Sequence, residues 1–357
     1  MDYRHRSFGD EESREGVKNE WLGHCRADAT ERKPIVERIV ALDGVRAIAI
    51  AMVVAYHVDK SVVPAGHWGV PMFFVLSGFV ITGSICAEID RSGRLDLSSF
   101  YRKRLLRIVP ALVAVCACLL VVGATWPQVI ASAGLHANYA RIAGLDLDRL
   151  THTWFVAVVA QFYLLWPLVM AAIPARRRPV VVGALMLVAL VWRALAIEFL
   201  DPGWVYNATD TNAAALIVGA FLAVAEFRAA PRGVVWAIPA MLALTLVPGF
   251  GDNGALVLWG GFVAVALSAL VLLHAMTSPT WLQHRVLVRI GEVSFGIFLW
   301  HYVFIRSNIP LWVAVIGTAV ATAASWHLLE RPLAQWDARR RPAAVEATPA
   351  AAVDVVS

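Results

Sequence analysis

The chain has 357 residues, of which 59% are hydrophobic and only 16% are charged, and its mean hydropathy is +0.65. This composition excludes an ordinary soluble globular protein and predicts a polytopic membrane protein. The net charge of +5 is distributed in short basic clusters between apolar runs. Such clusters are typical of contacts with membrane lipid headgroups and phosphorylated ligands, and they argue against a nucleic-acid partner.

The first segment, residues 1–36, is polar and of mixed charge. It lacks the apolar core of a secretory signal peptide. We predict that it forms a disordered cytoplasmic tail. A transmembrane domain is expected over residues 37–335, followed by a second disordered cytoplasmic tail over residues 336–357. Apolar runs of about 20 residues predict an all-α fold of about ten transmembrane helices, near residues 41–58, 69–85, 109–125, 153–173, 179–199, 211–226, 233–248, 255–273, 291–305 and 311–328.

The distribution of basic residues predicts the orientation. If the amino terminus is cytoplasmic, most of the 31 Lys and Arg residues fall in cytoplasmic segments, and the opposite loops contain only Lys60, Arg141, Arg149 and Arg306. Because Lys and Arg accumulate in cytoplasmic loops, both termini are expected to be cytoplasmic. An even number of spans agrees with this orientation.

The first span, ALDGVRAIAIAMVVAYHV, contains two ionisable residues, Arg46 and His57. They are eleven residues apart, which places them within about 20° of one helix face and about 16 Å apart along the axis. We therefore expect both to face one cavity. An ionisable residue within a span marks either a functional site or a satisfied structural charge, and the pair alone leaves both interpretations open.

Basic residues follow the second span in the segment FYRKRLLRIVP. Arginine forks bind phosphate oxygens in pairs, so a phosphate site at the cytoplasmic mouth is one interpretation and ordinary topology determination is the other. The second span itself combines Trp68 with the small-residue pair Ser77–Gly78, which permits close approach of a helix or ligand. The basic candidates are Arg102, Lys103, Arg104 and Arg107.

Three further residues are candidates for the substrate side. His152 and Tyr163 are eleven residues apart on the fourth span and could line an acceptor site, unless they are a boundary residue and an interfacial anchor. His301 could contact an acceptor or could be a satisfied interhelical histidine. The four cysteines show no CxxC spacing, so we expect no zinc site and no other metal site.

Taken in order, several segments resemble the acyltransferase-3 family of integral membrane O-acyltransferases. They cover residues 41 to 334 and are LDGVRAIAIAMVVAYHV, GVPMFFVLSGFVI, FYRKRLLRIVPAL, THTWFVAVVAQFYLLWPL, IGEVSFGIFLWHYVFI and LLERPL. The resemblance implies transfer of an acyl group, commonly acetyl, from acyl-CoA to a hydroxyl of a sugar, glycan or glycosylated natural product. It also implies a multi-pass protein of a bacterial plasma membrane that needs no metal.

By position, His57 corresponds to the essential histidine of that family and Arg46 to its partner arginine. A neutral imidazole can act as a general base towards an acceptor hydroxyl, or it can carry the acyl group covalently. The general base is the interpretation we favour. Arg46 then suits a phosphate or the pantetheine carbonyl of acyl-CoA, and the basic cluster suits the nucleotide phosphates.

The sequence departs from the family pattern at Val159 and Ala160, where paired glutamates are common, and at Asn212 and Ala214, where arginine and aspartate are common. Loss of a glutamate and an arginine together avoids an unmatched buried charge. The departures indicate either a different, less polar acceptor or a catalytically silent protein of the same fold. A carrier for an anionic or lipid-linked substrate is a further alternative. The activity of a carrier would not depend on acyl-CoA, whereas that of an acyltransferase would.

Overall fold

A computed structural model describes residues 39–225, 232–247 and 254–339 of the chain. The described residues form helices and turns and contain no strand. The first half contains α1 (Ala41–Val58), α2 (Gly69–Ser92), α3 (Leu97–Val121), α4 (Trp126–Ala133), α5 (Ala137–Ile142), α6 (Thr153–Ala172) and α7 (Arg178–Phe199).

The second half continues the helical pattern, and a π-helical turn at Trp326–Glu330 links its last two helices. Its helices are α8 (Pro202–Asn207), α9 (Thr209–Val224), α10 (Ala237–Thr245), α11 (Ala255–Met276), α12 (Arg285–Glu292), α13 (Ser294–Ile305), α14 (Leu311–Ser325) and α15 (Arg331–Arg339).

The described helices confirm the all-α, multi-pass membrane prediction. Eight helical segments are long and apolar enough to cross a membrane. A ninth is the α12–α13 pair, which bends by 69°, and the apolar helix at Gly233–Thr245 is shorter than a span. The ten predicted runs therefore correspond to eight candidate spans, one bent pair and one short helix among the described residues.

The bend between α12 and α13 determines the depth of a candidate residue. Helix α13 has 12 residues, which at about 1.5 Å per residue is too short to cross a bilayer of about 30 Å. Helix α12 carries Arg285, Arg289 and Glu292, charges that favour contact with water or headgroups. His301 on α13 consequently lies inside the bundle, where it is 1% exposed.

Helices α2 and α9 cross at two glycines. A Cβ atom added to Gly78 would collide with the carbonyl oxygen of Leu216, and one added to Gly219 would collide with the carbonyl oxygen of Val75. Small residues at such a crossing let two backbones approach closely, which compensates for the weak hydrophobic drive between helices in lipid. The small-residue prediction at Ser77–Gly78 thus identified a helix contact.

Helix α1 lies against α2, α12, α13 and α11. Helix α15 continues to Arg339, into the segment from residue 336 that we predicted to be disordered, so that boundary is wrong. The reason is a tertiary contact, because Asp337 on α15 is buried and forms an ion pair with Arg102 on α3, with Nε and Oδ1 2.9 Å apart. The tail predicted over residues 1–36, and residues 340–357, lie outside the described residues.

Candidate functional site

Helix α1 carries its two ionisable residues at opposite ends. Arg46, one turn into the helix, forms an ion pair with Asp43 in which Nη1 and Oδ1 are 2.6 Å apart. Both side chains are largely buried, and a buried charge is tolerated when it is paired. His57 lies in the last turn, half-buried.

The structure places these residues in two different cavities. His57 lines a cavity of about 660 Å³ together with His152, and we call it the histidine cavity. Arg46 lines a cavity of about 90 Å³ together with Arg104 and Arg107, and we call it the arginine cavity. The expectation that Arg46 and His57 face one cavity is wrong.

Two phenylalanines separate the cavities. Phe155 on α6 and Phe298 on α13 line both of them, and their ring centroids are 5.0 Å apart. The helical period correctly placed the two ionisable residues of α1 on one face, but an axial separation of about 16 Å leaves room for side chains from other helices. We call this pair the phenylalanine partition.

Three histidines from three helices meet beside the partition. Nε2 of His301 lies 3.2 Å from Nδ1 of His57, and the ring centroids are 5.2 Å apart. The ring of His152 lies 5.9 Å from that of His301. His301 is 1% exposed and does not line the histidine cavity, so it lies behind His57.

The backbone partners of the histidines assign their tautomers. Nδ1 of His57 lies 2.9 Å from the carbonyl oxygen of Val53, and Nδ1 of His301 lies 3.0 Å from that of Ile297. A carbonyl oxygen only accepts, so each of these nitrogens carries a proton in the neutral ring. Nε2 of His301 then accepts from the Nδ1–H of His57, which is shared with Val53. Nε2 of His57 is left with the ring's lone pair.

Aromatic rings hold the orientation of this group. Tyr302 packs against His57 with ring centroids 4.8 Å apart, and against His152 at 5.1 Å. Tyr56 lies 5.2 Å from both His57 and His67. Nε2 of His152 donates to the carbonyl oxygen of Leu299 at 3.0 Å, which fixes that ring against α13.

The arginine cavity contains only part of the predicted basic cluster. Arg104 lies over the ring of Tyr163, with the guanidinium carbon 5.6 Å from the centroid, and Arg107 completes the basic wall. Arg102 is instead paired with Asp337. Lys103 does not line the described cavities.

The substrate-side candidates divide among different sites. His152 lines the histidine cavity. Ser77 and Tyr163 line the arginine cavity, so the expectation that Tyr163 shares an acceptor site with His152 is wrong. Trp68 lines a side pocket of about 40 Å³. As with Arg46 and His57 on α1, the eleven-residue spacing places both side chains on one face of the helix, but at two positions along the axis that belong to different cavities.

The four positions that depart from the family pattern leave no unmatched charge. Val159 is 6% exposed and lines the arginine cavity, and Ala214 is 1% exposed. Nδ2 of Asn212 donates to the backbone oxygens of Tyr206 and Ala208, at 3.0 and 2.8 Å. Ala160 is half-buried.

Sequence reasoning missed several residues that line the histidine cavity, including Tyr56, Tyr302, Arg141 and Arg306. Tyr56 and Tyr302 directly precede and follow the histidines His57 and His301, which was a usable signal. Arg141 was counted only for topology. Among the described residues, no group of three or more His, Cys, Asp or Glu side chains could hold a metal ion.

Comparison with known proteins finds an acyltransferase family model and several O-acetyltransferases. A family model described as an acyltransferase domain matches residues 39–330. The chain is 29% identical over 340 residues to O-acetyltransferase OatA of Staphylococcus aureus strain NCTC 8325 / PS 47, covering 82% of this chain and 56% of that protein. It is 26% identical over 346 residues to peptidoglycan O-acetyltransferase OatA of Listeria monocytogenes serovar 1/2a, covering 83% and 56%.

A third relative is a putative O-acetyltransferase of Staphylococcus aureus strain COL, 27% identical over 346 residues, with 82% of this chain and 57% of that protein covered. The chain thus spans little more than half the length of the curated relatives that it matches. No solved structure matches it.

Proposed function

We propose that this chain, which belongs to the acyltransferase-3 family, is a membrane-bound O-acyltransferase that moves an acyl group, acetyl in the first instance, from acyl-CoA to a hydroxyl of a sugar, glycan or glycosylated natural product. The acceptor class is supported by the Listeria relative, whose name specifies peptidoglycan. The observation that carries the proposal is His57. Its Nδ1 donates to Val53 and His301, which leaves the lone pair on Nε2 in a residue that lines a cavity large enough for a ligand.

In the proposed reaction, His57 acts as a general base. Nε2 takes the proton of the acceptor hydroxyl while the oxygen attacks the thioester carbonyl carbon, and the carbon–sulfur bond then breaks. The imidazolium returns the proton to the departing CoA thiolate. Because His301 accepts from Nδ1–H, it holds the ring in the tautomer that this step requires.

The arginine cavity is the proposed entry for the thioester end of the donor. Its volume of about 90 Å³ is below the roughly 300–1,000 Å³ of ligand pockets, so the nucleotide stays outside. Arg107 is exposed and is suited to the phosphates. Arg46, held by Asp43, has further N–H groups for the pantetheine or thioester carbonyl. Because Arg102 is paired with Asp337, this proposal gives it a structural role. Lys103, which lines none of the described cavities, is peripheral to the donor site.

The acyl group must pass the phenylalanine partition to reach His57. A covalent route remains open, in which Nε2 of His57 attacks the thioester carbon, CoA leaves, and the acceptor oxygen then attacks the acyl-imidazole. Trapping of labelled acyl-protein in the absence of acceptor distinguishes this route from direct transfer.

We place the protein in a bacterial plasma membrane with both termini in the cytoplasm, so that acyl-CoA reaches the arginine cavity from the cytoplasm. The acceptor then enters the histidine cavity from the opposite side. This arrangement is supported by the positions of the two cavities at the two ends of α1.

The test is acyl-CoA turnover by the full chain, purified in lipid nanodiscs, with glycan acceptors and detection of both ester product and free CoA. We expect His57→Ala to lower turnover at least a hundredfold, since general base catalysis contributes roughly 10²–10⁴-fold. His327→Ala, which removes an exposed histidine away from both cavities, is the matched control. Unchanged product in His57→Ala would contradict the mechanism, and no CoA release by the wild type with any acceptor would contradict the function.

A further inference from the structure

Three basic side chains from separate segments line the histidine cavity. Lys60 lies in the turn after α1, Arg141 in the last turn of α5, and Arg306 directly after α13. Residues far apart in the chain therefore place cations around one space.

Within the part of the chain that the structure describes, these cations have no carboxylate partner. Among the described residues, the ion pairs within 4 Å involve none of Lys60, Arg141 and Arg306. Asp59 is the only carboxylate among the described residues that line the cavity. Its Oδ1 accepts from the hydroxyl and the backbone N–H of Ser61, at 2.6 and 2.8 Å, and these hydrogen bonds lower the pKa of its carboxyl group.

A neighbouring arginine provides a contrast. Arg149 belongs to the same set of non-cytoplasmic loop cations by prediction, but it does not line the cavity. It pairs with Asp148, with Nε and Oδ2 3.4 Å apart, and its Nη2 donates to the backbone oxygen of Val122 at 3.1 Å. The basic side chain outside the cavity is thus paired within the protein, whereas those inside are in no ion pair among the described residues.

We propose that Arg141 and Arg306 form a subsite for an anionic oxygen group, a carboxylate or a phosphate, on the acceptor that His57 acylates. Guanidinium groups bind such groups through paired charge-assisted hydrogen bonds. The subsite fixes which hydroxyl of the acceptor faces His57, and it gives preference to acidic over neutral glycans. This inference rests on the proposed function for the identity of the acceptor.

Binding is measured first, without acyl-CoA, so that the subsite is judged separately from acyl transfer. The full chain in phosphatidylcholine nanodiscs is titrated with three tetrasaccharides: neutral N-acetylglucosamine units, N-acetylglucosamine alternating with glucuronic acid, and the neutral chain with a phosphate at its reducing end. The two anionic ligands distinguish carboxylate from phosphate as the source of charge.

We expect the wild type to bind at least one anionic ligand about tenfold more tightly than the neutral one, an advantage that falls as ionic strength rises. Arg141→Gln and Arg306→Gln should each remove most of that advantage and leave neutral-ligand binding unchanged. Arg149→Gln, the matched control, should keep it. Binding of the neutral ligand also reports that each variant is folded.

Turnover with acetyl-CoA is measured next. The two variants should raise KM for the anionic acceptor about tenfold with little change in kcat. Equal affinity of the wild type for neutral and anionic ligands overturns the subsite, even if acyl transfer is observed. Preference for anionic ligands without any turnover supports the subsite and contradicts the proposed function. A loss in the variants that appears only with phosphatidylglycerol in the nanodiscs assigns the arginines to lipid headgroups and overturns the proposal.

Discussion

At the scale of single residues, the proposed chemistry depends on the contact between His57 and His301. Each ring is tied through Nδ1 to a backbone oxygen one turn earlier in its own helix. When both rings are neutral, these contacts place the protonated Nδ1 of His57 against the unprotonated Nε2 of His301, 3.2 Å away. In the proposed mechanism His301 is a positioning residue, since it touches His57 and does not line the histidine cavity.

We predict that His301→Leu lowers kcat about tenfold with little change in KM for the acceptor, because Nδ1–H of His57 keeps Val53 but loses the second acceptor that orients the ring. His301→Gln should recover part of that loss, since its carbonyl oxygen can accept the same hydrogen. Steady-state kinetics of the two variants check this. Equal activity of the two variants would mean that His301 acts only by filling space.

At the scale of helices, a side-chain contact between α6 and α13 separates the two cavities. Phe155 and Phe298 belong to these two helices and close the space between the arginine and histidine cavities. Phe155 also packs on Phe74 of α2, with centroids 4.8 Å apart. The partition is therefore anchored on one side, and Phe298 is the residue whose removal would join the cavities most directly.

We predict that Phe298→Ala raises the turnover of butanoyl-CoA relative to acetyl-CoA about tenfold, because the joined space accommodates a longer acyl chain. The substitution should also cost about 3–5 kcal/mol of stability, but the ratio of two donors in one preparation does not depend on the folded fraction. Phe295→Ala is the control, since Phe295 lines only the arginine cavity. An unchanged donor ratio would contradict passage of the acyl group through the partition.

At the scale of the whole molecule, the two cavities lie near opposite ends of α1. The arginine cavity contains Arg104 and Arg107 of the basic segment after α2, whereas the histidine cavity contains residues from the other set of connections, such as Lys60. An enzyme with this arrangement can take its donor and its acceptor from different sides of a membrane. The orientation proposed from the basic residues makes the donor side cytoplasmic.

We predict that a membrane-impermeant maleimide labels Lys60→Cys in intact cells and labels Arg94→Cys only after permeabilisation. Both positions are exposed turns at opposite ends of the helices. The background is a chain in which Cys25, Cys86, Cys116 and Cys118 are serine. The reverse pattern would invert the proposed topology and place the histidine cavity in the cytoplasm.

The sequence alone was sufficient for the properties that arise within one segment. The length and hydropathy of the runs determine membrane helices, because backbone groups in lipid must be satisfied within the helix. Arg46 and His57 were found because ionisable residues are rare in such runs, and their shared face followed from the helical period. The small pair Ser77–Gly78 likewise indicated a close contact from composition alone.

Tertiary structure decided what depends on contacts between segments. His57 and His301 are 244 residues apart, and no local pattern specifies that their rings meet. The phenylalanine partition, the pairing of Arg102 with Asp337 and the grouping of Arg141 with Arg306 likewise join distant segments. Helical periodicity predicts on which face of a helix a side chain lies and how far apart two side chains are along the axis. Which side chains of other helices fill the space between them depends on how the helices pack together.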